Sequence, residues 1–350
     1  MTSLARARRA QGELAGAARL LDTELDLSAR LEVLSIEGLA TSAIEGEKLD
    51  PTAVRSSLAR RLGVPMGGLR SSPREVDGLV EVLVDATANY DTPLIPQRLL
   101  AWQAALFPTG RSGLREIRVG KLRDKAPMQI VSGPVGKERV HYEVPPQRNL
   151  RAELDRFLDW FNSAPPDLDG LLRAGIAHVW FEILHPFEDG NGRVGRALLD
   201  MALAQDEARS TRLYSLSARF NEKRDEYYAV LERTSSGDLG ITPWLTWFLE
   251  QVTAAAQSSE LLVNRVVNTA RFWLHHSRSE LSERQVKALA RLLDAGPGGF
   301  EGGMTNRKYA SLTKTSPATA QRDLADLVAK RCLVQVGSGR AARYELANSA

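Results

Sequence analysis

"HPFEDGNGRVGR" runs from His185 to Arg196 and places one histidine, two acids, three glycines and two arginines within twelve residues. Just before it, Asp169 to Leu184 carries apolar residues at helical spacing, with Leu172, Ile176, Val179 and Ile183 along one face. The stretch breaks that pattern, and a further helix is expected from Asn191 to about Gln205. The region therefore reads as a helix, a tight loop and the start of a second helix.

Gly190, Asn191 and Gly192 fall where the loop enters the helix. Glycines there let the backbone come close to a ligand, and free amides with about half a positive charge of helix dipole favour an anion. Arg193 and Arg196 are three apart, share a helix face and offer two forked donors for phosphate oxygens. Asp189 is a hard oxygen ligand of the kind Mg²⁺ uses beside phosphates. His185 has the side chain whose ordinary pKa suits a general base at neutral pH. Each piece alone has a plainer reading as a structural histidine, a turn or solvent-facing arginines. Their conjunction points to a polyphosphate with its metal.

Outward from the motif, residues 4–60 read as helical, with Leu31, Leu34 and Leu39 at roughly helical spacing, and a Gly/Pro/Ser-rich loop spans 62–73. Helices are expected over 74–90, 96–107, 150–161, 221–234 and 242–267, and "MQIVSGPVGKERVHYEVPP" reads as a hairpin. The last 70 residues look separate. "SERQVKALARLLDA" is amphipathic with Ser282 as N-cap, and two shorter helices follow a glycine-rich break, the second capped by Ser316 with Pro317 at its first position. Two strands around a Gly-Ser-Gly turn end the chain. The organisation expected is 1–73 as an N-terminal helical region, 74–267 as the core and 281–350 as a C-terminal domain.

A chain of 350 residues with 43% hydrophobic and 25% charged content has an ordinary globular composition. No apolar run approaches the roughly 18 residues that span a bilayer, and the basic N-terminus lacks a secretory apolar segment, so a cytoplasmic protein without membrane attachment is expected. The single Cys332 excludes an internal disulfide and a multi-cysteine metal site, and in "CLVQV" it reads as a buried small side chain. Residues 281–350 hold 11 Lys and Arg against 6 Asp and Glu, a balance of +5, which leaves −2 for residues 1–280.

The central stretch matches without a gap the signature of Fic domains: His, any residue, Phe, any residue, Asp or Glu, Gly-Asn-Gly-Arg, two residues, Arg. The resemblance extends from about Leu39 to Val252 and includes "HYEVPP" and "RDEYYAVLE". It implies a mainly α fold, with an all-helical Fic core and a small β-hairpin flap, and transfer of AMP from ATP to a protein hydroxyl with Mg²⁺. By the same resemblance His185 would deprotonate the hydroxyl, Phe187 would anchor the loop and Asp189 would bind the metal. Asn191 with the Gly190 and Gly192 amides would hold the α- and β-phosphates, Arg193 the phosphate chain and Arg196 the γ-phosphate. Met128, Gln129, Ile130, Val131, Ser132 and Gly133 would form the flap that docks the target by strand addition. Tyr227 and Tyr228 would line the adenosine pocket, unless they are core. His178 reads as a packed or capping residue, with no third metal ligand near it. "TSAIEGE", Thr41 to Glu47, resembles the inhibitory pattern of the self-inhibited class, which implies that Glu45 pairs with Arg196 where the γ-phosphate should bind.

The C-terminal segment resembles a winged helix-turn-helix, with Pro317 to Lys330 as recognition helix and Arg340 and Arg343 on the wing. DNA contact through 281–350 and protein contact, including a homodimer, are both open to such a module. Rivals to AMP transfer are removal of AMP with Glu45 positioning water, phosphoryl transfer, and a transcriptional regulator that senses nucleotide. Phosphoryl transfer is disfavoured by Gly192, which leaves room for a close phosphate.

Overall fold

A computed structural model describes residues 2–19, 23–64, 71–124, 129–132, 139–143, 146–163, 165–210, 212–236, 240–277, 279–293, 302–339 and 342–347. Along the chain, α1 (Ser3–Ala18), α2 (Thr23–Ile44), α3 (Pro51–Leu62), α4 (Arg74–Ala88) and α5 (Pro96–Leu106) come first. Two antiparallel hairpins follow, β1 (Arg111–Ser112) with β2 (Arg115–Glu116) and β3 (Gln129–Ser132) with β4 (Arg139–Glu143). Then come α6 (Gln147–Asn162), α7 (Gly170–Leu184), α8 (Asn191–Glu207), α9 (Leu216–Glu222), α10 (Arg224–Ser236) and α11 (Thr242–His275). The chain closes with α12 (Glu283–Leu293), α13 (Asn306–Thr313), α14 (Pro317–Ala329) and the antiparallel pair β5 (Leu333–Val336) and β6 (Arg343–Leu346). The fold is all-helical apart from these short hairpins.

The chain divides into two compact units, Met1–Glu260 and Leu261–Ala350. In the first, α8 is buried nearly all round, from Asn191 and Arg193 through Ala204, as a helix at the centre of a bundle must be. This decides which face of α7 goes inside. Of the stripe read from the sequence, Val179 is buried while Leu172, Ile176 and Ile183 are only half-buried, and Leu171, Ala174, Ala177, His178, Phe181 and Leu184 are buried. At Gly195 a Cβ would lie 2.4 Å from Glu182 Oε1 and 3.2 Å from Phe181 Cδ1, so α7 and α8 approach as closely as they do because Gly195 has no side chain.

The N-terminal helices pack within this same compact unit. Arg8 donates to Asp206 (2.6 Å) and Asp169 (2.9 Å), and buried Glu37 of α2 accepts from Ser215 Oγ (2.6 Å). After α2, Asp50 accepts from Thr52 N (2.9 Å), Pro51 opens α3 and Gly63 closes it in the left-handed region (φ 70°).

Some elements differ from those expected. The helix expected near 221–234 is α10, and an unexpected short helix, α9, precedes it across a break at Lys223, with Ser215 as its cap (Ala218 N to Oγ, 3.0 Å). α11 continues to His275 and the unit boundary falls within it rather than after residue 267. The flap hairpin lies at Gln129–Ser132 and Arg139–Glu143, with Val131 opposite Val140; Met128 and Gly133 lie outside the described residues.

The second unit has its own core, in which Phe272, Leu289, Met304, Tyr309, Leu324, Leu327, Cys332 and Tyr344 are buried together. Ser316 caps α14 through Thr319 N (3.2 Å), with Pro317 at the first position. β5 pairs with β6 from Leu333↔Leu346 to Val336↔Arg343, and Met304 pairs with Tyr344 through bonds of 2.9 and 2.8 Å. Arg340 lies outside the described residues. Among the described residues no helix is long and apolar enough to cross a membrane.

Candidate active site

His185 ends α7 in the left-handed region, φ 44°, with its amide bonded to Phe181 O (3.0 Å). For a residue with a side chain that conformation costs about 1–3 kcal/mol and persists only where surrounding contacts enforce it. Several do. Phe187 is fully buried against Phe181, ring centroids 6.4 Å apart. Asn191 closes the loop on itself, its Oδ1 accepting from Phe187 N (2.9 Å) and its Nδ2 donating to Phe187 O (2.8 Å). From outside the motif, Arg123 donates its Nε to His185 O (2.9 Å) and its backbone amide to Pro186 O (2.9 Å). Arg118 N donates to Glu188 Oε2 (3.0 Å), and Gln103 joins Gly120 N (2.6 Å) to Asp189 O (3.4 Å). Gly190 sits at φ 85°, where a Cβ would be 2.8 Å from Phe107 Cε2.

The side chain of Asn191 thus braces the loop through both its carbonyl and its amide, and its amide nitrogen carries a second N–H besides the one bonded to Phe187 O. Asp189 accepts from Gly190 N through Oδ1 (2.6 Å) and remains partly exposed.

The two arginines are buried, Arg196 at 2% and Arg193 at 8% exposure. Arg196 is held by the end of α2: Nε donates to Thr41 Oγ1 (2.7 Å), and Nη2 to Thr41 O (3.1 Å) and Glu45 Oε1 (2.6 Å). That Glu45 oxygen would be 2.3 Å from a Cβ on residue 192, so the carboxylate fills the space that Gly192 leaves. Arg193 stacks over Phe107 at 4.9 Å and donates through Nη1 to Glu47 Oε2 (3.0 Å). The seven residues from Thr41 to Glu47 therefore occupy both guanidinium groups.

The electrostatics follow. Burial pushes the Glu45 carboxyl up, but Arg196, with Arg193 and Arg224, overrides it and holds the group below the ordinary glutamate range. Burial, with the charge of Arg123, takes His185 down to about 4, against the opposing pull of the Glu182 carbonyl, Glu45 and Asp189. The imidazole is neutral at physiological pH, as a base must be. Burial raises Glu182 to about 7 against the attraction of Arg196, and its Oε1 is buried without a hydrogen-bond partner.

His178 is buried, its Nδ1 3.1 Å from Gly195 O and its Nε2 2.8 Å from Tyr227 OH. Among the described residues no group of three His, Cys, Asp or Glu could hold a metal on its own. Tyr227 stacks on Phe220 (4.7 Å) at 1% exposure, a core residue rather than a pocket wall. Tyr228 is 38% exposed, and its hydroxyl reaches Ile44 O (3.4 Å) beside Glu45. Glu182, Gln103 and Arg123 carried no signal in the sequence, and Glu47, though it ends the quoted "TSAIEGE", had no role assigned to it. Each matters only through a partner far along the chain or on a helix face that the fold had first to define.

A buried helix–loop–helix carrying this motif defines a Fic core. Residues 93–203 match the Fic/DOC family, and residues 1–64 match a domain of unknown function, DUF4172. The protein adenylyltransferase fic-1 of Caenorhabditis elegans is 30% identical over 259 residues, 70% of this chain and 45% of that protein. A Fic family protein from Desulfovibrio desulfuricans has a similar fold, with a TM-score of 0.57 at 18% identity over 100% of this chain and 97% of that one. A Fic domain-containing signaling protein from Bacteroides thetaiotaomicron gives 0.56 at 16% identity over 75% and 97%. The chain carries a Fic domain and belongs, through it, to the Fic family. It spans less than half the length of the curated relatives it matches.

Proposed function

We propose that this chain is a protein adenylyltransferase that moves AMP from ATP to a hydroxyl side chain of a target protein, itself included, and that Glu45 holds the activity down. The observation that carries the reading is the anion already seated in the cradle: the Glu45 carboxylate, 2.6 Å from Arg196 Nη2 and packed over Gly192. Arg196 has room and charge for one anion there, and a γ-phosphate competes with the carboxylate for the same donors. With the triphosphate spread along Arg193, the amides at the start of α8 and Arg196, the α-phosphate faces His185. The hydroxyl proton passes to the imidazole, the hydroxyl oxygen bonds to the α-phosphorus, and the bond to the pyrophosphate oxygen breaks. Positioning and charge stabilisation supply most of the rate, and the base about 10²- to 10⁴-fold.

Asp189 fits Mg²⁺ as a shared rather than a complete site, because it offers one partly exposed hard carboxylate and, among the described residues, no group of three His, Cys, Asp or Glu makes a self-contained site. Bound there with phosphate oxygens, the ion would neutralise triphosphate charge. Tyr228, partly exposed beside the end of α2, is the better placed of the two tyrosines to meet the nucleoside.

The test is incubation with α- or γ-labelled ATP and cell lysate. Protein labelled only from the α-phosphate is expected; label from the γ-phosphate would indicate phosphoryl transfer. The same Glu45 carboxylate also favours a second reading, removal of AMP with Glu45 orienting water, which loss of label from a modified target would reveal.

We further propose that the second unit is a winged helix that contacts DNA. Its charge balance of +5 over residues 281–350 supports this, as do the exposed Arg307, Lys314, Arg322 and Arg331. Wing residue Arg343 is paired with Glu345 (2.8 Å), which weakens its own contribution.

A further inference from the structure

We infer that Arg123 is a positioning residue for His185: it holds the His185–Pro186 turn in the backbone conformation that presents the imidazole, and it acts through two carbonyls without touching the reacting atoms. The inference rests on His185 as the base of the proposed transfer and deepens that reading.

A catalytic base is ordinarily oriented by a third group bonded to its other ring atom. Here that group is missing among the described residues: His185 Nδ1 is buried with no hydrogen-bond partner. The direction of the ring is therefore set by its backbone, and the backbone is in the left-handed region at φ 44°. Phe181 O fixes the amide side of the residue (3.0 Å). The carbonyl side is fixed by Arg123, 3% exposed, through Nε to His185 O (2.9 Å) and through N to Pro186 O (2.9 Å). One residue thus grips two successive carbonyls of the strained turn, from a segment 62 positions away. Asn191 and Phe187 secure the rest of the loop but make no bond to His185 itself.

The guanidinium has a second effect that a purely structural prop would lack. The charges that act on the imidazole are Arg123 from this segment, Glu45 from the end of α2 and Asp189 from the loop, together with the Glu182 carbonyl of α7. Arg123 alone among them is positive, and removing it favours the protonated ring.

The experiment uses the full chain with Glu45→Gly, so that transfer is measurable, and adds Arg123→Lys or Arg123→Gln. Both variants retain the backbone bond to Pro186, which favours folding. Transfer of α-label should fall on the order of 10- to 100-fold in kcat, with KM for ATP within about threefold of the parent, because the phosphate donors are elsewhere. In Arg123→Gln the acid limb of the pH profile should also move up, while Arg123→Lys should leave it near the parent position. Unchanged kcat in both variants, or a loss confined to KM, overturns the inference. If the Glu45→Gly parent transfers nothing, the adenylylation reading fails first, and the His185 ring is then titrated by NMR, its signal identified by its loss in His185→Ala. An upward midpoint in Arg123→Gln still supports the contact, and an unmoved midpoint refutes it.

Discussion

His185 and Glu182 lie one turn apart on α7 and are displaced in opposite directions, by one cause, burial. For His185, down to about 4, the neutral base persists far below the ordinary histidine range. The acid limb of kcat/KM, measured in Glu45→Gly, should therefore fall below pH 5 and not near 6.5. His185→Ala should abolish transfer and leave the ATP Kd, read by calorimetry, within about threefold, since the proton acceptor alone is removed. Glu182 is the reverse. Its carboxyl binds a proton more tightly folded, about 7, than unfolded, about 4.5, so its contribution to stability declines as pH rises through that window. Glu182→Gln cannot ionise and should be more stable than the parent at pH 8, by up to about 3 kcal/mol. That gain should vanish below pH 4.5, where both carboxyl states are protonated; equal denaturation midpoints at pH 8 would rule it out.

At the scale of elements, the end of α2 and the start of α8 form one device. Glu45→Gly should raise α-labelled self-modification several-fold or more, and Glu45→Gly with His185→Ala should be silent; an unchanged rate would remove the inhibitory role. The apo variant should also melt lower, because Arg196 loses its charged partner while keeping the two Thr41 bonds. ATP should restore more stability to it than to the parent. Much of this device was readable from sequence, because its signals are local: "TSAIEG" and "HPFEDGNGR" each keep their groups within a turn or a loop. Helix starts marked by a cap or proline, Ser316 with Pro317 and Pro96, were likewise found where expected. Contacts across the chain were not legible. The bonds of Asn191 to both backbone groups of Phe187 are not announced by the sequence. The break between α9 and α10 has no glycine or proline to announce it. The buried face of α7 follows from α8 being central, which composition alone does not reveal.

At the scale of the whole chain, the boundary decides what can be tested by itself. A division at residue 281 leaves out Phe272, which is 3% exposed and packed into the second unit's core with Leu289, Tyr309 and Leu324. Removing a buried phenylalanine from a core costs about 3–5 kcal/mol, a large part of the stability of a domain this small. Residues 261–350 should therefore fold cooperatively when expressed alone, and residues 281–350 should melt far lower or not cooperatively at all. The longer fragment is the one to test for DNA contact. Its exposed Arg307, Lys314, Arg322 and Arg331 predict binding to duplex whose log affinity falls linearly with log salt, the slope reporting roughly how many phosphates are neutralised. Arg322→Ala with Arg307→Ala should flatten that slope by about two. A folded 261–350 that retards no duplex at low salt would leave the positive balance without a nucleic-acid role and favour a protein partner or a second copy of the chain.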